Sequence, residues 1–298
     1  MLEVIVDALI MAATAAGLAA ASPVTQAPAN PPLLVASPLA ERQVRYGDDP
    51  RQVATLFTRG TARAPLIVYL HGGGWSAGTP KAGSGGAQAE HWTSRGYAYA
   101  TLGYRLVPQA TVEQQRDELV RGIALLRRQP GVDGGPIVLF GHSSGGHLAA
   151  LLGTDPAPWD RAHVPFGALK AVVLLDASAL DVQQIMAIGG PLVDRYYRPA
   201  FGDDSGRWTA LSPITHAARP NASAWLLLHD VNNRLAALQG ADLAAQLRAG
   251  GATATEGEIT NTTHLRLNDE LGRPGDTATA VIDRFLALAV PPGRPRLR

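Results

Sequence analysis

Short unbroken apolar runs recur along this chain: residues 65–70 (PLIVYL), 137–140 (IVLF), 171–175 (AVVLL) and 224–228 (AWLLL). Runs of this length, rich in branched residues and lacking polar alternation, predict strands covered on both faces. Residues 97–102 and 253–259 predict two more strands. Between them the period changes. Residues 112–128 carry Val112, Leu119, Ile123 and Leu126 at helical spacing and stop at Pro130-Gly131. Further helices are expected around 88–95, over 235–249 before Gly250-Gly251, and over 277–289. Residues 42–46 and 53–59 flank the turn signal Gly47-Asp48-Asp49-Pro50 and predict an antiparallel hairpin at one sheet edge. A longer, partly helical insertion occupies 181–220. Strands alternating with helices imply an α/β architecture, a mostly parallel sheet with helices on both faces. Residues 41–298 read as one domain, because no linker or internal repeat divides them. In such a sheet, reactive groups gather at the carboxyl ends of the strands.

One stretch gives that rule a target. The strand at 137–140 runs into Gly141-His142-Ser143-Ser144-Gly145, and a helical pattern follows at once with Leu148-Ala149-Ala150-Leu151-Leu152. Strand, sharp turn and helix around G-x-S-x-G is the context of a nucleophile elbow. The turn forces its central residue into a cramped backbone conformation, so side chains two positions to either side would collide. Ser143 is the candidate nucleophile. After the strand ending at Leu70 comes His71-Gly72-Gly73-Gly74-Trp75. Acyl transfer builds negative charge on an oxygen, and fixed N–H groups stabilise it without reorganising. Gly73 and Gly74, with the N–H of Ser144, are the expected donors, and Trp75 is a further candidate. His264, between the last strand and the final helix, is the expected general base. His142 and His147 belong to the elbow and are expected to point elsewhere, His71 to be buried beneath the oxyanion loop, His229 to be structural, and His91, His163 and His216 to lie in loops or on the surface.

Composition narrows the classes. The chain has 298 residues, a net charge of +1 and no cysteine. Scattered charges argue against nucleic-acid or anionic-membrane partners. The missing thiols remove disulfides and a cysteine nucleophile. No H-E-x-x-H pattern is present, and 83–86 lacks the Lys-Ser/Thr of a phosphate loop, so no cofactor and no metal are expected. Residues 1–40 stand apart as a leader. The uncharged run 8–21 has the length of a signal-peptide core and ends in small residues, although the first basic residue is Arg42; export to the periplasm or medium is expected, with the cytoplasm as the alternative, and no stable membrane insertion of the mature domain. Arg105 and Asp117 are expected to be a structural ion pair or helix-surface charges. Asn221 and Asn261 head glycosylation-type triplets with nothing else in their favour.

From about residue 40 onward, HGGGW and GHSSGGHLAALL, with Tyr104-Arg105-Leu106, Phe201-Gly202-Asp203 and Leu211-Ser212-Pro213-Ile214, make the chain similar to α/β-hydrolases of the esterase/lipase superfamily. The resembling branch holds hormone-sensitive-lipase-like carboxylesterases, feruloyl-esterase-like enzymes and kynurenine formamidases. The resemblance implies the α/β-hydrolase fold with an eight-stranded sheet, Ser143 as nucleophile and His264 as base. It breaks at the acid. Members commonly read H-G-x-x-D after the strand at 224–228, and here the line is His229-Asp230-Val231-Asn232-Asn233. Asn233 stands where the carboxylate is expected. Asp230 is the first choice for the acid and Asp176, at the end of the preceding strand, the second. The implied activity is hydrolysis of a small-molecule carboxylic ester. Two alternatives are an arylformamidase and a non-catalytic binding protein on the same scaffold. The pocket walls are expected from the leader, from 75–92 and from 181–201 with its Tyr196-Tyr197 pair.

Overall fold

The computed structural model describes residues 38–292 apart from 61–62, 82–85, 133 and 219. The leader reading and most of the Gly-Ser run at 83–86 therefore lie outside the described residues. Eight strands form one sheet in the order β1-β2-β4-β3-β5-β6-β7-β8. They are β1 (Leu39–Arg45), β2 (Val53–Arg59), β3 (Leu66–Leu70), β4 (Ala98–Leu102), β5 (Ile137–His142), β6 (Leu169–Leu175), β7 (Ala224–Asp230) and β8 (Thr253–Ile259). β1 and β2 make the expected antiparallel hairpin, β2 runs antiparallel to β4, and every other pairing is parallel.

The unbroken apolar runs are explained by two cores. Leu66, Val68 and Leu70 of β3 face one, and Ile67 and Tyr69 face the other. The first core is closed by helices α2 (Val112–Leu126) and α3 (Ser144–Thr154), the second by α1 (Gly86–Ser94) and a long C-terminal helix, Thr277–Ala289. β8, at one edge, alternates buried and open positions, as a strand with one solvated side should, and β2 does so over its first half. α2 begins with a reciprocal capping box in which the Thr111 hydroxyl accepts from the Gln114 N–H and the Gln114 side chain accepts from the Thr111 N–H.

The topology brings particular strand ends together. Leu70 is in register with Gly141, and His142 with Leu175. The sheet order reverses between β3 and β5, so the loops leaving these neighbours open a crevice at their carboxyl ends. The glycine loop, the G-x-S-x-G turn and the residue after β6 thus emerge side by side.

Candidate active site

Ser143 occupies the turn between β5 and α3 with φ 55° and ψ −123°, a conformation that side chains rarely adopt. The flanking glycines make it possible. A Cβ on Gly141 would stand 2.3 Å from the Gly145 carbonyl oxygen, and one on Gly145 would stand 2.2 Å from the Leu70 carbonyl oxygen. The Ser143 N–H is fixed by donating to the Leu175 carbonyl at 3.0 Å. Ser143 is 9% exposed and lines a pocket shared with Gly74, Trp75, Asp176, Tyr197 and His264.

His264 reaches this pocket from the loop after β8. Its Nδ1 lies 2.6 Å from Oδ2 of Asp176, while its backbone carbonyl is met by Nε2 of His142 at 2.8 Å. The carbonyl can only accept, so His142 carries its proton on Nε2. Burial, with the nearby His264, holds His142 down at about 3. It remains neutral and pins the loop.

The carboxylate bound to the imidazole Nδ1 is Asp176, the second choice from sequence, in place of Asp230, the first. β7 extends through Asp230, which pairs with Ile259 of β8, and the Asp230 Oδ1 is taken by the backbone and side-chain nitrogens of Asn232 at 3.1 and 3.3 Å. Its contribution runs through the main chain: the Asp230 N–H donates to Oδ1 of Asp176 at 3.1 Å. Asp176 follows the last residue of β6 at φ 47°, on the strand adjoining β5. Burial alone would raise its pKa, but the hydrogen bond and charge of His264, with smaller contributions from Asn233 and His142 nearby, carry it below the ordinary carboxylate range.

The glycine loop is held as firmly. Gly73, Gly74 and Trp75 have φ of 124°, 59° and 59°. Trp75 Nε1 donates to Nδ1 of His147 at 3.2 Å, and the Trp75 carbonyl accepts from Gln115 Nε2 at 2.8 Å. Beneath, His71 is buried and stacked on Tyr104 at 4.4 Å, and the Tyr104 hydroxyl donates to the His71 carbonyl. Burial lowers both His71 and His147 to about 4. Gly74 and Trp75 line the same pocket as Ser143, and Ser144 opens the first turn of α3 beside it.

The pocket's remaining wall comes from a π-helical turn, Val193–Tyr197, and from α9 (Arg234–Ala249, preceded by α4 to α8, the short helices Ala157–Arg161, Val182–Ile188, Arg198–Phe201, Ser205–Ala210 and Pro213–His216). The Tyr196-Tyr197 pair takes the place expected of it. Tyr197 is pushed up to about 12 by burial and is a neutral wall. Trp92 does not line the pocket; it packs on Phe140 and Tyr99 in the opposite core. Ser178, Leu235, Ala236 and Gln239 also line it and carry no motif that sequence could have flagged. Arg105 binds Glu118, whereas Asp117 binds Arg161 at 2.8 Å, so the two do not pair with each other. Among the described residues no three His, Asp or Glu side chains converge as a metal site, and no helix is long and apolar enough to cross a membrane.

The chain is similar to known esterases and formamidases. The BD-FAE family model matches residues 56–164. Esterase LipC of Mycobacterium tuberculosis is 32% identical over 138 residues, 44% of this chain and 34% of LipC. The kynurenine formamidase of Salmo salar is 29% identical over 115 residues, 38% of each chain. The chain thus spans little more than a third of the length of these relatives. Among solved structures, esterase B from Lactobacillus Rhamnosis superposes with a TM-score of 0.67 at 21% identity, over 83% of both chains.

Proposed function

We propose that this chain, which has the α/β-hydrolase fold and is similar in sequence to an esterase, is a serine hydrolase of small carboxylic esters, working through an acyl-enzyme on Ser143. The observation that carries the reading is the pocket that Ser143, on its strained turn, shares with His264, an imidazole whose Nδ1 is held by a buried carboxylate at 2.6 Å. With the His264 Nδ1–H donated to Asp176, Nε2 is left as the base. It takes the Ser143 proton as the hydroxyl oxygen attacks the ester carbonyl. The oxygen that becomes negative is received by N–H groups of Gly73, Gly74 and Ser144. The intermediate collapses as His264 gives its proton to the departing alkoxide, and water then repeats the sequence on the acyl-enzyme, releasing the acid and free Ser143. Asp176 remains ionised throughout and stabilises the imidazolium.

A short-chain nitrophenyl ester tests the activity, and a fluorophosphonate probe tests the serine. Turnover and covalent labelling are expected for the parent chain, with both lost in Ser143→Ala. Labelling absent from the parent would favour a binding protein on this scaffold. The likeness to a kynurenine formamidase supports a second reading, hydrolysis of an N-formyl aromatic amine by the same groups. N-formylkynurenine turned over faster than the ester would favour it.

A further inference from the structure

At the end of the sheet away from Ser143, a cleft of about 370 Å³ opens between the C-terminal end of α2, the turn that leads into β5 and the residues after α4. Every charged or titratable side chain in its lining is basic: Arg127, Arg128 and His163, with Ala124, Gly134 and Val164 as the rest. Gly134 stands just before β5 and Ser143 just after it, so the length of that strand, roughly 20 Å, separates the cleft from the pocket around Ser143.

Arg127 ends α2, where a cation is favourable beside the last helix carbonyls, and its Nη2 donates to the Gly134 carbonyl at 3.1 Å. That role leaves the rest of the guanidinium unused. Its Nε–H is buried and, among the described residues, meets no acceptor. Arg63 brings a second guanidinium to the same place: a Cβ on Gly134 would stand 3.6 Å from Nη2 of Arg127 and 3.8 Å from Nη2 of Arg63, so both groups border one small volume beside the turn. Burial and the charge of Arg63 carry Arg127 below the ordinary arginine range. Among the described residues no carboxylate forms an ion pair with Arg63, Arg127, Arg128 or His163, and the nearby acids are engaged elsewhere, Asp117 by Arg116 and Arg161 and Asp155 by Arg116.

Two guanidinium groups so close repel each other unless a negative charge stands between them. A tetrahedral oxyanion suits the place, because charge-assisted bonds of about 2.8 Å from each side span the gap across one phosphate group. The cleft is also at the lower end of the range for small-molecule sites, about 300–1,000 Å³, which leaves room for an organic group on the anion. We propose that this cleft is an anion site for a phosphate group, free or carried by a small monoester, held between Arg127 and Arg63. It is separate from the pocket that carries the proposed ester hydrolysis and does not depend on how that pocket is read.

Calorimetric titration of the full chain with inorganic phosphate and, separately, with phenyl phosphate tests this, at constant ionic strength set by chloride. Saturable one-to-one binding is expected, and the tighter of the two ligands identifies the source as the free ion or a monoester. Arg63 is exposed, so its replacement should spare folding, whereas Arg127 also holds the Gly134 turn. Arg63→Gln should weaken Kd about tenfold, the worth of one hydrogen bond to a charged group, and Arg63→Glu, which offers Arg127 a carboxylate from within the chain, should abolish binding. Asp133, the one acid in the sequence between Arg127 and β5, lies outside the described residues. Binding seen only in Asp133→Asn would mean that the chain's own carboxylate serves these cations, and it overturns the proposal. So does the absence of saturable binding, a Kd unchanged in Arg63→Gln, or phosphate inhibition competitive with a nitrophenyl ester, which would place the anion at Ser143.

Discussion

Trp75 and His147 lie 5.3 Å apart with their rings almost perpendicular, and a hydrogen bond from the indole Nε1–H to the imidazole Nδ1 joins the glycine loop to the helix that carries the elbow. His147 donates through Nε2 to the Leu211 carbonyl at 2.8 Å, which fixes its tautomer and leaves Nδ1 free to accept. The terminal Trp of HGGGW and the terminal His of GHSSGGH are thus two halves of one clamp. Its task is to keep Gly73 and Gly74 at a fixed distance from Ser143.

Trp75→Phe tests that clamp. The ring would still pack on Tyr197 and Phe201, but His147 Nδ1 would be buried without a donor, at a cost of about 1–3 kcal/mol. Urea unfolding should register the loss, and kcat for a nitrophenyl ester should drop more than KM rises, because a loosened donor loop acts on the transition state. Parental kcat would show that the loop holds its shape without the indole.

The two carboxylates at the strand ends make a sharper pair. Asp176→Asn leaves the packing intact and removes the charge behind His264, so kcat should fall about 10³- to 10⁴-fold. Asp230→Asn keeps the Oδ1 that accepts from Asn232 and keeps the N–H that donates to Asp176, so kcat should fall far less than in Asp176→Asn. The reverse ranking would return the acid to Asp230.

The acid also shows where the sequence stops being legible. Strands, helices, elbow and glycine loop are local patterns, and their positions and order could be read from periodicity and from glycine spacing alone. Which of two carboxylates reaches an imidazole depends on strand register across the sheet. Asp230 looks like a residue beyond its strand until β7 is seen to run on beside β8 as far as Ile259, and Asp176 looks remote until β6 is seen next to β5. A carboxylate directly after the run at 171–175 was the available signal. The pocket walls failed differently: Leu235, Ala236 and Gln239 are ordinary residues of an amphipathic helix, and only the packing of α9 makes them a lining. Trp92 reads as a pocket aromatic by its proximity in sequence to HGGGW, yet α1 lies on the far face of the sheet and carries it into the other core.

Glycine substitutions separate steric need from tolerance. Gly145→Ala drives a methyl group to 2.2 Å from a backbone oxygen of Leu70, which has no freedom to withdraw, so a loss at or above the upper end of the ~1–3 kcal/mol range for overpacking is expected, with little soluble protein. Gly240→Ala is the contrast. Its added carbon would have nothing nearer than Leu227 at 4.0 Å and sits inside α9, so helix propensity should raise stability by up to about 1 kcal/mol. Equal effects from both would refute the steric account of the elbow.

Three histidines around the site make stability depend on pH. His71, His142 and His147 are held neutral by burial at about 4, 3 and 4, against an ordinary 6.5 when the chain unfolds. Below 6.5 the unfolded chain therefore binds protons that the folded chain refuses, and the linkage runs toward unfolding as pH falls. Stability from these groups is fully present above 6.5 and is lost through the window down to about 3–4. Each contributes at most about 1.4 kcal/mol per pH unit there. Asp176, depressed below its ordinary value, acts with the same sign at the acid end of the window. Urea midpoints should stay level from pH 8 to 7 and decline steeply from 6.5 to 4.5. Replacing His147 by Gln, which keeps a hydrogen-bonding side chain and cannot titrate, should make that decline shallower, and an unchanged slope would mean that these imidazoles are not the groups taking up the protons.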